Sequence, residues 1–377
     1  MLRLEWRLPR SCEILIPFTD TADILASYFP GRSVHVLDLE SSQRNVWMLL
    51  RALPYGKPNV RSYLIAYIRT TNPQLVITLQ DNFAPLWHLH GHIGNSKVAL
   101  IQNGIRTSRP ETMPNGKNSP KGNPKVDYYF CFNSLIVPVL EERLSANFVR
   151  IGSFRNNHAT RIIHTSTDSV AYISTYRTDV PHTTKIATSP LGNHVTYGEV
   201  LSHRVVVVKT LIEYCERAGL HLRILGKDPD HMKEAEFYTS QLGTNSFQFL
   251  PRTPGSFQYE ACDTAKFVIS TSSTLGLESL ARGNRTAILN ADSRILSQPE
   301  HHFGWPGNLP SEGAFWSTSV TKDRVIAVLD FLNTASCTEW NDLREQYLPY
   351  LPVFDGGNTQ LIQTLSHLGA RTPVELR

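Results

Sequence analysis

Residues 269–290, ISTSSTLGLESLARGNRTAILN, run from an apolar strand through five successive hydroxyl residues into a short helical pattern, and out through Gly283 and Asn284 to a second apolar strand. Strand, tight turn, helix and strand in so few residues is the unit of a parallel sheet covered by helices. The same alternation recurs along the chain. In the first half the strand-like runs are CEILIPF, SVHVLDL, QLVITLQ, KVALIQN, VDYYFCF and FVRIGSF, separated by helical patterns such as VRSYLIAYIRTT and SLIVPVLEERL. It restarts at SVAYISTYR and continues through LHLRILGK, FQFLPR, KFVIST and RTAILN, with the long helical HRVVVVKTLIEYCERAG between the first two. Three further helical patterns close the chain.

This reading gives an α/β protein of two doubly wound domains, a division that suits 377 residues better than one core. We place the first domain at 1–155, the second at 156–340, and a helical tail at 341–377 that packs back on the first. In open α/β sheets ligands bind beyond the carboxyl ends of the strands, so a candidate functional residue must lie there or in the first turn of the following helix.

Composition narrows the class. Apolar residues make up 41% and charged ones 19%, with a net charge of +4, which suits a globular protein without a nucleic-acid footprint. No apolar run reaches membrane-spanning length and the N-terminus lacks a signal-peptide pattern, so a cytoplasmic location is expected. Arg3, Arg7 and Arg10 beside Trp6 leave open a peripheral contact with the inner membrane. Five scattered cysteines form neither a disulfide framework nor a zinc site. A Gly-rich dinucleotide fingerprint and a P-loop are both missing, which argues against NAD enzymes and NTPases.

Five stretches pass the positional filter. At 270–274 the unpaired amides of a helix start, with the hydroxyls of Ser272, Ser273 and Thr274, could hold a phosphate, and Glu278 a ribose hydroxyl; capping explains only one hydroxyl, and Glu278 could instead pair with Arg282. ILGKDPDHMKEAEFY places Lys227, Asp228 and Asp230 after a strand, where a carboxylate can act as nucleophile or base, or simply favour a helix start. LQDN offers Asp81 and Asn82 as acceptors for sugar hydroxyls, and the nearby His88, His90 and His92 lack the partners of a metal site. ALIQNGIR carries Gln102, Asn103 and Arg106, followed by a Pro- and Gly-rich stretch at 109–125 expected to form a long mobile loop. Tyr176 and Arg177 end the first strand of the second half, and Arg177 could meet a carboxylate or phosphate.

LQDN, IQNGIR, IGSFRNN, YISTYR, ILGK with EAEFY, and STLGLESLARG together resemble bacterial surface-carbohydrate glycosyltransferases, and more narrowly the retaining β-Kdo transferases of capsule and O-antigen assembly. Kdo is 3-deoxy-D-manno-oct-2-ulosonic acid. The resemblance implies a GT-B architecture of two facing Rossmann-like domains with an interdomain cleft. It implies a CMP-β-Kdo donor, a saccharide or lipid-linked glycan acceptor, no cofactor and no required metal. It implies transfer with retention by double displacement through an aspartate, Asp228 first and Asp230 second. The nucleotide would lie on Ser272, Ser273, Thr274, Gly276 and Glu278, with Lys227 or Arg252 as the cation. Asp81, as a base, with Asn82, Gln102, Asn103, Arg106, Tyr176 and Arg177, would line the donor-sugar or acceptor side. Leu277 departs from the tyrosine of the family's STLGYE. Another CMP- or nucleotide-activated sugar, or a non-catalytic carbohydrate-binding subunit, are the alternatives.

Overall fold

The computed structural model describes residues 3–41, 43–56, 59–106, 114, 123–163, 168–188, 193–243, 246–253, 257–296, 303 and 309–374. The chain forms two compact units, one of Met1–His158 with Asp355–Arg377 and the other of Ala159–Phe354. Most of the Pro- and Gly-rich stretch at 109–125 lies outside the described residues.

The first unit is built on six parallel strands: β1 (Ile14–Ile16), β2 (Val34–Val36), β3 (Leu75–Thr78), β4 (Lys97–Ile101), β5 (Lys125–Cys131) and β6 (Ser145–Arg150). Their order is β2-β1-β3-β4-β5-β6, so the winding reverses between β1 and β3. Every residue of β1 and β3 is buried, which is why these strands read as unbroken apolar runs rather than as alternation. Helix Val60–Thr71 is stopped by Asn72 at φ 48°, a conformation Asn tolerates, and opened by a capping box in which Asn59 and Ser62 bond each other's backbone.

The second unit carries β7 (Ser169–Ile173), β8 (His221–Leu225), β9 (Phe247–Leu250), β10 (Phe267–Ser270), β11 (Thr286–Leu289), β12 (Glu312–Gly313) and β13 (Trp316–Ser317). The order is β9-β8-β7-β10-β11-β13-β12, parallel except for the last pair. This is the dinucleotide-fold order, and its reversal falls between β7 and β10. The β7 and β10 ends lead respectively into Ser174–Arg177 and into the hydroxyl run. β12 and β13, two residues each, have no counterpart in the sequence reading, because strands so short carry no period.

The tail does not behave as one piece. Helix Cys337–Glu345 belongs to the second unit, where Trp340 is buried, whereas Asp355 onward belongs to the first. The first break lies at His158 rather than 155 because helix Phe154–His158 is part of the first core: Phe154 is buried there beside Leu361, Leu365 and Leu368. Fully buried Asn358, held at φ 57°, ties this junction together. Its Nδ2 donates to Tyr28 Oη at 2.8 Å and to the Phe154 carbonyl at 3.0 Å, and its Oδ1 accepts from Asn157 Nδ2 at 3.2 Å.

Candidate functional site

At the reversal point of the second sheet, four of the five hydroxyls of the opening run have hydrogen-bond partners, and Thr274, half-buried, opens helix Thr274–Ala281. Ser270, fully buried at the end of β10, accepts the Ser273 amide at 3.3 Å and so folds the turn. Buried Thr271 lies 3.3 Å from the hydroxyl of Thr175 at the end of β7, joining the two strands at the reversal. Ser273 is the N-cap of helix Thr274–Ala281 and accepts the Leu275 amide at 3.3 Å. Ser272 is exposed and accepts from Arg204 Nη2 at 3.4 Å. Gly276 has a packing reason: a Cβ there would overlap the Ser270 side chain. Leu277 is buried, an apolar place in which a tyrosine's hydroxyl would need a partner. Glu278 is buried and accepts from Tyr259 Oη at 3.1 Å, while Arg282 pairs through two nitrogens with Asp263.

The loop after β8 is organised by a carboxylate. Glu234, in helix His231–Leu242, is fully buried and accepts the amides of Lys227 at 3.0 Å and Asp228 at 2.9 Å, together with the Ser174 hydroxyl. Burial pushes its pKa above the usual carboxylate value, although the hydrogen bonds from Ser174, Asp228 and Lys227 oppose this. Gly226 is needed where this loop starts, because a Cβ would come within 2.7 Å of the Phe249 ring and 3.1 Å of Glu234 Oε2.

Asp228 then closes the loop onto the end of β7. Its Oδ2 accepts the Thr178 amide at 2.8 Å, and its Oδ1 accepts the Thr178 hydroxyl at 2.7 Å and the Asp230 amide at 2.8 Å. Desolvation would raise its pKa, but these donors outweigh it and hold the group below the ordinary aspartate value. Asp230 is the N-cap of helix His231–Leu242, accepting the Lys233 amide at 3.3 Å and pairing with Lys233 Nζ at 2.8 Å.

Tyr176, Arg177, Thr178, Lys227, Asp228 and Arg252 are among the residues lining a cavity of about 450 Å³. Tyr176 is fixed by stacking on Phe237 with ring centroids 4.1 Å apart, and Arg177 forks onto Asp179 at 2.8 and 3.1 Å. Arg252 Nη1 reaches the Lys227 carbonyl at 3.5 Å. Lys227, exposed as a residue, nevertheless has its ammonium pKa lowered, first by desolvation and then by the guanidiniums of Arg204, Arg177 and Arg252, with Glu234 opposing. Three cations, Arg177, Lys227 and Arg252, thus share the lining with Asp179, Asp228 and Asp230, and Arg204, outside the lining, adds to the positive field at Lys227 and reaches Ser272. Arg204 comes from helix Tyr197–Ala218 and is anchored by Asp292 and, at 3.2 Å, by the Thr175 carbonyl. Lys227 and Arg252, which make no ion pair among the described residues, are the cations of this lining free to meet an anionic group.

In the first unit the sequence-selected residues form a buried network instead. Asp81, beyond β3, accepts from Arg106 Nε at 2.7 Å and again from Arg106 Nη2, from the Asn103 amide at 3.1 Å and from Tyr129 Oη at 2.6 Å. With four donors on two oxygens, Asp81 serves as the anchor of Arg106 rather than as an available base, and Arg106 is itself buried. Gln102 is buried and bridges backbone, accepting the Phe132 amide at 2.8 Å and donating to the Gly104 carbonyl at 2.9 Å. Of this group Asn82 is exposed and Asn103 half-buried.

Residues 99–368 match the family described as "putative O-antigen biosynthesis protein". The chain belongs to this O-antigen biosynthesis family. No curated protein matches it. Solved structures match in fold at low identity. A "putative UDP-N-acetylglucosamine 2-epimerase" from Listeria monocytogenes is 13% identical with a TM-score of 0.55, over 96% of this chain and 98% of that one. The wall teichoic acid polymerase TagF is 9% identical with a TM-score of 0.50, over 94% and 88%. The pneumococcal O-GlcNAc transferase GtfA is 11% identical with a TM-score of 0.48 over 82% of this chain, which spans 60% of GtfA's length. The fold of this family member is GT-B. No described helix is long and apolar enough to cross a membrane.

Sequence reasoning passed over Arg204, and it met Glu234 only as one of several acidic residues after a strand, not as the carboxylate that organises the loop. Arg204 carries a signal in retrospect, a cation preceding four valines in a helix otherwise committed to the core. Glu234 stands one turn inside a helix that already has Asp230 as its cap, so capping leaves it unexplained.

Proposed function

We propose that this O-antigen biosynthesis family member is a glycosyltransferase whose second unit binds a nucleotide-activated sugar. The observation that carries the reading is the presence of Arg177, Lys227 and Arg252 on one cavity lining, with Arg204 extending the positive field from Lys227 to Ser272. The donor we favour is CMP-β-Kdo, which presents two anionic groups, a phosphodiester and the sugar carboxylate. Arg177, Lys227 and Arg252 on the lining, with Arg204 at Ser272, would offer partners to both groups. Amides and hydroxyls at the helix start would take the phosphate, and Glu278 the ribose, without a metal or other cofactor. The acceptor would be a saccharide or lipid-linked glycan.

Retention would follow from two displacements. An Asp228 oxygen attacks the anomeric carbon while the bond to the phosphate oxygen breaks and CMP leaves with the electron pair; the acceptor hydroxyl then displaces the aspartate, its proton passing to solvent. Asp228 is preferred to Asp230 on geometry. Asp230 caps its own helix and is ion-paired with Lys233, whereas Asp228 has no ion pair among the described residues and keeps a lone pair on Oδ2 beyond the one that accepts the Thr178 amide.

Incubating the full chain with CMP-β-Kdo and a saccharide acceptor should give a β-linked product. Asp228→Asn should slow turnover on the order of 10⁴- to 10⁶-fold while CMP still raises the melting temperature. Unchanged turnover with lowered stability would make Asp228 a loop staple only. Stabilisation by UDP and not by CMP would replace the donor with another nucleotide sugar.

A further inference from the structure

The first unit carries an exposed apolar face that its core does not use. Leu4 is 49% exposed, Trp6 66%, Leu8 48%, Trp47 42%, Leu50 54% and Leu53 56%. They come from two segments far apart in sequence that the structure fastens together. Strand Arg3–Glu5 pairs in parallel with Gln43–Asn45, the Asn45 side chain donates to the Arg7 carbonyl at 2.6 Å, and Trp47 Nε1 donates to the Trp6 carbonyl at 2.7 Å. The face is therefore built, not a frayed end. Helix Val46–Ala52 turns Met48 and Ala52 inward, and Trp47, Leu50 and Arg51 outward, so it has a second apolar stripe opposite its core stripe.

Charge accompanies the apolar groups. Residues 3–10 and 46–56 contain four arginines, Arg3, Arg7, Arg10 and Arg51, against one carboxylate, Glu5. Arg3, Arg7 and Arg10 are exposed, and no ion pair among the described residues holds them. Tryptophans and leucines standing clear of the surface, interleaved with long cationic side chains, match the boundary between lipid headgroups and acyl chains, where indoles settle and arginines reach the phosphates.

We propose that this face docks the protein on an anionic lipid bilayer as a peripheral contact. Burial of the six apolar side chains supplies the contact and the four arginines select anionic headgroups.

The full-length chain should co-sediment with vesicles of phosphatidylcholine containing about a third phosphatidylglycerol, weakly with phosphatidylcholine alone, and less in high salt. Leu50→Glu with Leu53→Glu should cut association at least tenfold. Arg3→Gln, Arg7→Gln and Arg10→Gln should cost on the order of fivefold each. Since all five positions are exposed, melting temperatures should not move. Equal sedimentation with and without anionic lipid, or variants that bind as the parent does, overturns the proposal. So does a dimer in sedimentation velocity that Leu50→Glu with Leu53→Glu converts to monomer, which would assign the face to a second copy of this chain.

Discussion

The Glu234 carboxylate accepts the Asp228 backbone amide at 2.9 Å, so a buried charge on a helix sets the position of a carboxylate six residues earlier. Glu234→Gln would turn an acceptor into a group that also offers donors to the Lys227 and Asp228 amides. We expect a stability loss of about 1–3 kcal/mol and weaker nucleotide binding, read by thermal melts with and without CMP. Because burial raises the Glu234 pKa, the folded state holds more protons than the unfolded one above the ordinary glutamate range. Stability therefore falls as pH rises from there through the raised value, and Glu234→Gln should remove that slope.

Lys227 gives a second pH signature. Its pKa is lowered by desolvation and by Arg204, Arg177 and Arg252, so it loses its charge before an ordinary lysine would as pH rises. Affinity for a nucleotide phosphate should decline over the alkaline range leading up to the usual lysine pKa. Lys227→Arg, which stays charged, should flatten the profile; titration calorimetry across that range checks it.

Gly276 and Ser270 form a steric pair across the start of helix Thr274–Ala281. Gly276→Ala should destabilise by about 1–3 kcal/mol through overpacking. Adding Ser270→Gly should recover much of the loss, a coupling that a double-mutant cycle in urea measures. Additive losses would mean that the glycine serves another purpose.

Asp81→Asn tests the network of the first unit. Removing the charge leaves buried Arg106 with a weakened partner, and we expect a loss of up to about 3–5 kcal/mol, visible as a lowered melting temperature without any substrate. If Asp81 were instead a base with little structural burden, turnover would fall and the melt would stay put.

Both sheets were legible because their strands are buried on both faces and announce themselves as apolar runs, as at Leu75–Thr78 and Phe267–Ser270. The hydroxyl run was legible as a helix start for a similar local reason. Partner choice was not. That Arg282 forks onto Asp263, or that Asp81 is saturated by Arg106 and Tyr129, depends on which strands lie side by side, and spacing along the chain carries none of that. Lys227 and Asp228 could be chosen from their place after a strand, whereas Arg204, far along a helix in sequence, joins them only through the fold.

The return of Asp355–Arg377 to the first unit also orders events in time. Leu361, Leu365, Leu368 and Asn358 complete a core begun at Ile14, but the ribosome must first make all of Ala159–Phe354. At about 5–20 residues per second that delay is roughly 10–40 s. By its end the second unit has its whole sequence in hand and the first still does not, so the nascent chain's first half needs shelter for its unfinished apolar surface until Asp355–Arg377 has emerged.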